Sequence, residues 1–282
     1  MVSESSLLWN PKLQHKQARM NQNRVAILDM YRGHDNQGMR CIGELLASAG
    51  MEPDIYEVRQ NSEIPSVCDY SIFISTGGPG DPHEVSSHDW GKEWQNFINE
   101  IRVRNSVPTE QKRYLFMICH SFQMACISWN LATVTHRKKP AFGIYPINKT
   151  EAGSEHWMLE DLYDPFWIID SREWQVVEPI HGEIEKFGAQ VLAIEQSRPH
   201  VPLERATMAI AFSPEIVGTQ FHPEADESGM QAYLDDPEKL EKLAGKHGAD
   251  RIQKIQGSLG DPQKVNRTHS RILPNFLKKA TQ

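Results

Sequence analysis

The sequence predicts an α/β protein: a central, mostly parallel sheet with helices on both faces, followed by a helical C-terminal extension. Three observations predict this. Apolar strand-like runs alternate with helical stretches from residue 24 to residue 129, and strands alternating with helices pair in parallel. A glycine-rich turn and a cysteine each stand at the C-terminal end of such a run, where sheets of this kind carry their chemistry. Beyond residue 224 the pattern becomes charged and helical.

The elements follow in order. Residues 1–23 read as a polar lead-in. Arg24–Met30 reads as a buried strand and Gly38–Ala49 as a helix, with Met39, Ile42, Leu45, Leu46 and Ala49 on one side and Gly50 as its stop. Asp54–Val58 and Tyr70–Ser75 are the next strands, the latter leading into Gly77-Gly78-Pro79-Gly80. A helix over Trp90–Val103 precedes a strand over Arg113–Ile118, which runs into Cys119; a helix over Ser121–Trp129 follows. The middle offers separate strand-like pieces: 132–135, 143–147, 166–170 and 190–194. Strands over 207–211 and 216–221 form a hairpin that delivers His222. The charged helical stretch reaches about Gln256, and after Gly260-Asp261-Pro262 an amphipathic helix spans Ser270–Lys279. The expected organisation is a lead over 1–23, a main domain over 24–227, and an extension over 228–282 packing on that domain.

Composition narrows the function. The chain has 282 residues and a formal net charge of -7. A nucleic-acid groove would need a basic stripe, so no nucleic-acid partner is expected. No apolar run approaches the ~20 residues of a membrane helix, and residues 1–24 lack the apolar stretch of a secretory signal. A cytoplasmic protein without membrane association is expected. The four cysteines, at positions 41, 68, 119 and 126, form no C-x-x-C pair. Neither a zinc site nor any other metal or cofactor site is indicated.

Cys119 stands between a strand and a helix. A sharp turn there lifts the sulfur above the sheet, and the helix N-terminus favours the thiolate. A buried core cysteine is the competing reading. The string Gly218-Thr219-Gln220-Phe221-His222-Pro223-Glu224 supplies a base and an orienter for it. Pro223 keeps His222 extended. Glu224, two residues on, can then reach one ring nitrogen while the other faces the sulfur. His120 starts the helix, so its backbone N–H matters more than its ring.

These strings resemble the class I glutamine amidotransferases, of the kind found as the glutaminase domain of GMP synthase. The family's G-x-C-x-G-x-Q elbow is matched here by Met117-Ile118-Cys119-His120-Ser121-Phe122-Gln123, with both glycines replaced. The G-x-Q-F-H-P-E string matches the family's base motif, with His222 lying 103 residues beyond Cys119. Ser75-Thr76-Gly77-Gly78-Pro79 resembles the family's oxyanion loop. The resemblance covers about residues 24–224 and implies a flavodoxin-like three-layer sandwich. It implies a triad of Cys119, His222 and Glu224, oxyanion donors at Gly78 and His120, and substrate contacts at Gly77 and Gln123. It further implies a glutamine or γ-glutamyl amide as the small-molecule substrate, a thioester intermediate, and a synthetase partner chain that accepts the ammonia.

Two other readings compete. Homoserine O-acyltransferases share a related fold and a Cys/His/Glu triad. Asp261-Pro262-Gln263, Arg267, His269 and Ile272–Leu277 loosely resemble their C-terminal segment. Alternatively, Met117, Ser121 and Phe122 mark an altered elbow in a domain that binds a partner without catalysis.

Overall fold

The computed structural model describes residues 24–34, 36–200 and 202–282. The polar lead over 1–23 lies outside the described residues. The strands are β1 Arg24–Asp29, β2 Glu52–Glu57, β3 Ile72–Ser75, β4 Tyr114–Ile118, β5 Ala132–Lys149, β6 Phe166–Pro179, β7 Gln190–Glu195, β8 Thr207–Ala211 and β9 Ile216–Thr219. They form one sheet in the order β2-β1-β3-β4-β9-β8-β7-β5-β6 among the described residues. The pairings from β2 through β4 to β9 are parallel, and those from β9 to β6 are antiparallel. The helices are α1 Gln37–Ser48, α2 Val58–Asn61, α3 Asp89–Ser106, α4 His120–Ser128, α5 Glu151–Glu155, α6 His181–Phe187, α7 Glu227–Asp235, α8 Pro237–His247, α9 Ala249–Gln256, α10 Val265–His269 and α11 Ile272–Ala280.

The strand pleat divides β4 between two cores. Phe116 and Ile118 point to a core with Ile42 and Leu46 of α1 and with Ile272, Leu273, Phe276 and Leu277 of α11. Leu115 and Met117 point to the opposite core, with Trp94, Phe97 and Ile98 of α3 and Phe122, Met124 and Ala125 of α4. Two helical layers therefore enclose the sheet, the three-layer sandwich expected. A third apolar cluster joins Met230, Leu234, Leu243, Ile255 and Val265 of α7–α10 to Ile144 and Ile169 of β5 and β6.

The structure corrects the middle of the chain. The pieces over 132–135 and 143–147 are one strand, β5, and the piece over 166–170 continues to Pro179 in β6. His136 pairs with Trp174 and Ala141 with Arg172, so Arg137–Pro140 stand opposite Glu173 alone. This bulge breaks the alternating pattern and made one strand read as two. The last helix begins at Ile272, and its four buried apolar residues each contribute roughly 1.5–3 kcal/mol.

Candidate active site

Cys119 follows β4 with φ 45° and ψ −95°, a left-handed conformation for a non-glycine residue. The strain is held by what surrounds it. Cys119 N donates to Thr219 O at 2.7 Å, and Gln123 N donates to Cys119 O at 3.0 Å. The cysteine caps α4, so the free amides of that helix rise beneath it. Its side chain is 5% exposed and joins the α1/α11 core.

The replaced glycines of the elbow are accommodated. Met117 is fully buried on the opposite face from Cys119. Space comes from Gly218, its partner on β9, where an added Cβ would stand 3.0 Å from Met117 O and 2.9 Å from the Phe122 ring. Ser121 is buried, and its hydroxyl donates to Thr76 O at 2.6 Å and pairs with Ser75 Oγ at 2.8 Å. Trp94 Nε1 completes this network by donating to Ser75 Oγ at 3.1 Å. The residue that replaces a small one thus ties the elbow helix to the end of β3.

His222 and Glu224 come together, but not by the expected route. Strand β9 ends at Thr219, three residues before His222. The chain bends because Thr219 Oγ1 donates to Phe221 O at 3.0 Å and Gln220 N donates to Met208 O at 2.8 Å. His222-Pro223-Glu224-Ala225 then form a turn, with Ala225 N donating to His222 O at 3.3 Å and Pro223 in the position turns favour. Glu224 Oε1 lies 2.7 Å from His222 Nδ1, and the Cys119 sulfur is near enough to act on the ring's charge. Burial alone would lower the His222 pKa. The Glu224 carboxylate and the Cys119 sulfur outweigh it, and the imidazole is held well above its ordinary 6.5.

Gly77 lies against both groups: an added Cβ would stand 2.9 Å from His222 Cε1 and 3.6 Å from Cys119 Cβ. At Gly78 an added Cβ would collide with Met30 O at 2.5 Å. Gly78 passes closer to the backbone than any side chain allows, and Gly77 stands close against the His222 ring. His120 is 1% exposed, and its Nε2 has no hydrogen-bond partner. Burial, with Arg59 and Arg32 nearby, pulls its pKa to about 3. Gln123 is buried, and its amide donates to Trp174 O on β6 at 3.2 Å, so its nitrogen is already engaged.

With this geometry in place, its relatives can be compared. The family model for class-I glutamine amidotransferases matches residues 27–237, three quarters of the chain. The chain belongs to the class I glutamine amidotransferase family. That membership supports glutamine amidotransferase or glutaminase-type activity, in a family of glutamine-hydrolysing cysteine enzymes. No curated protein matches the chain significantly. Solved structures share the fold. A glutamine amidotransferase from Thermotoga maritima is 17% identical at a TM-score of 0.67, covering 93% of this chain and 99% of its own. A candidate GMP synthase protein from Thermoplasma acidophilum is 13% identical at 0.55, over 91% and 93%. The Trypanosoma brucei CTPS glutaminase domain with bound acivicin is 16% identical at 0.53, over 79% and 93%.

Several neighbours of Cys119 and His222 escaped the sequence reading. Gln220 is fully buried; its Nε2 lies 3.9 Å from Cys119 Sγ, and its Oε1 accepts from Val176 N at 3.2 Å. It stands inside the motif that carries His222, which was the available signal. Ser171 O lies 3.9 Å from Cys119 Sγ. The Tyr31 hydroxyl would stand 3.2 Å from a Cβ on Gly77, and its pKa is raised by burial and then by Glu224 and Cys119. Arg59 donates to Pro79 O at 2.5 Å and Met30 O at 3.2 Å, and so clamps the glycine loop. His269 Nδ1 lies 2.9 Å from Glu224 O, bringing α10 to the turn that carries the carboxylate. Nothing in the sequence marked Tyr31, Arg59 or Ser171, because each reaches the site from a separate element. Among the described residues no helix is long and apolar enough to cross a membrane.

Proposed function

We propose that the chain hydrolyses the side-chain amide of glutamine, or of a γ-glutamyl compound, with Cys119, His222 and Glu224 as a triad. The observation that carries this reading is the His222 ring, held by Glu224 at 2.7 Å and close to the Cys119 sulfur, beside a strained elbow. His222, its Nδ1 held by Glu224, takes the thiol proton through Nε2. The thiolate attacks the amide carbon, and the N–H groups of Gly78 and His120 receive the oxyanion. Losing one such donor costs roughly 3–4 kcal/mol of transition-state stabilisation. The tetrahedral adduct collapses as His222 protonates the departing ammonia. Water then cleaves the glutamyl thioester, His222 acting again as base, and releases glutamate. Gly77 leaves room at the sulfur for the amide, and Gln123 borders the same space. The ammonia passes to a synthetase partner chain or, in a free hydrolase, to solvent.

The test is incubation with glutamine, reading glutamate and ammonia, with mass spectrometry of Cys119 after a glutamine-analogue electrophile. Equimolar products, and an adduct on Cys119 absent from Cys119→Ala, are expected. No glutamate at any pH, while Cys119 stays open to alkylation, would overturn the reading. A parallel acyl-CoA and homoserine arm reports acyl transfer instead.

A further inference from the structure

A cavity of about 520 Å³ lies against β5, β6, β7 and β8, and none of Cys119, His222 and Glu224 lines it. Its size is that of a small-molecule pocket. Six cationic side chains border it, Arg137, Lys138, Lys139, Arg198, Lys246 and Arg251, against two carboxylates, Asp170 and Glu195. In a chain of net charge -7 this is a local inversion of sign. The β5 bulge produces it, because the four residues opposite Glu173 push Arg137, Lys138 and Lys139 out of the strand ladder.

One of the two carboxylates is oversubscribed. Glu195 receives Arg172 at 2.7 Å, Arg137 at 3.1 Å and Arg198 at 3.0 Å. Among the described residues Asp170 receives only Arg172, at 2.9 Å. Arg172 is almost fully buried, and its Nη1 has no partner. Its bonded neighbours Asp170, Glu195 and Met208 all line the cavity. Among the described residues the exposed Lys138 and Lys139 have no carboxylate partner. Burial and then the nearby Arg172 lower the Arg137 pKa, against Glu195 and Asp170, which raise it. Lys246 is neutralised by Glu173 at 2.6 Å, and Arg251 lies over the Tyr145 ring at 4.5 Å.

We propose that this cavity binds a small organic anion carrying at least two negative charges, phosphate or carboxylate. Lys138 and Lys139 meet its outer charge, and Arg137 and Arg198 meet its inner one. The proposal stands independently of the glutaminase reading. Yet the two sites share a strand: Ser171, between Asp170 and Arg172, turns its carbonyl to Cys119 Sγ.

Isothermal titration of the full chain at low ionic strength tests it, with pyrophosphate and citrate as probes and acetate at matched ionic strength as control. Saturable binding of one or both probes is expected, with none of acetate. Pyrophosphate alone points to a phosphorylated ligand, citrate alone to a polycarboxylate, and both to recognition of charge. The double variant Lys138→Ala/Lys139→Ala should weaken binding at least about tenfold. Both lysines are exposed, so its melting temperature and glutamine hydrolysis should match the parent. Arg198→Ala should weaken binding in the same direction. Absence of saturable binding for both probes up to about 5 mM, above the weakest affinity a small-ligand site would need, overturns the proposal. So does binding that both variants leave unchanged.

Discussion

At the residue scale, the pair His222–Glu224 makes the sharpest prediction. The folded pKa of His222 lies above 6.5, so its proton is bound more tightly in the folded than in the unfolded state. The resulting stabilisation is complete below pH 6.5 and is lost as pH rises through the raised folded value. Glu224→Gln removes the charge that holds the proton. Urea unfolding should show the variant falling furthest below wild type near pH 6, with the gap narrowing at alkaline pH. Its glutamine hydrolysis should drop by orders of magnitude, as for an orienter removed from a triad. His120 has the opposite sign. Its pKa of about 3 keeps it neutral when folded, so stability falls as pH drops from 6.5 towards 3. His120→Leu should lessen that acid sensitivity while keeping the backbone N–H. Gly77→Ala would place a methyl 2.9 Å from the His222 ring, a flexible contact, and should cost activity far more than melting temperature.

At the scale of elements, the elbow shows how much the sequence disclosed. The strand, the cysteine and the helix were legible because apolar runs and a following helical pattern are local signals. The tolerance of Met117 was not, since it depends on Gly218 across the sheet and on the side of the pleat that Met117 faces. Nor was the role of Ser121, whose partners Thr76 and Ser75 lie 45 and 46 residues away. Ser121→Ala strips a buried acceptor of its donor, a cost of roughly 1–3 kcal/mol. Chemical denaturation should report that loss, and kcat should fall while KM stays near the parent value if the loop carries the oxyanion donors. The turn at His222 teaches the same lesson. An extended reading led to the right partner, Glu224, by the wrong path, because the side-chain and backbone bonds of Thr219 and Gln220 bend the chain first.

At the scale of the whole molecule, the C-terminal helix is structural. Phe276 is fully buried and meets the Phe116 ring edge-on at 5.3 Å, directly beneath the strand that ends at Cys119. Phe276→Ala should cost roughly 3–5 kcal/mol, seen as a lowered midpoint in denaturant, with elbow activity lost at temperatures the parent tolerates. The sheet order was only partly legible. Alternating strands and helices foretold the parallel half, while the long β5/β6 hairpin and its bulge depend on pairings that no local pattern encodes.

The place of β9 between β4 and β8 has a consequence for how the protein comes into being. While the chain emerges from the ribosome, β4 is complete about a hundred residues before Ile216–Thr219 appears beside it. Throughout that interval the strand bearing the thiol is an open border of an unfinished sheet. It lacks the Thr219 carbonyl that anchors the Cys119 amide, and His222 has yet to be synthesised. Birth order therefore leaves Cys119 without its β9 neighbours until late in synthesis, and the same late insertion completes both the sheet and the surroundings of the sulfur.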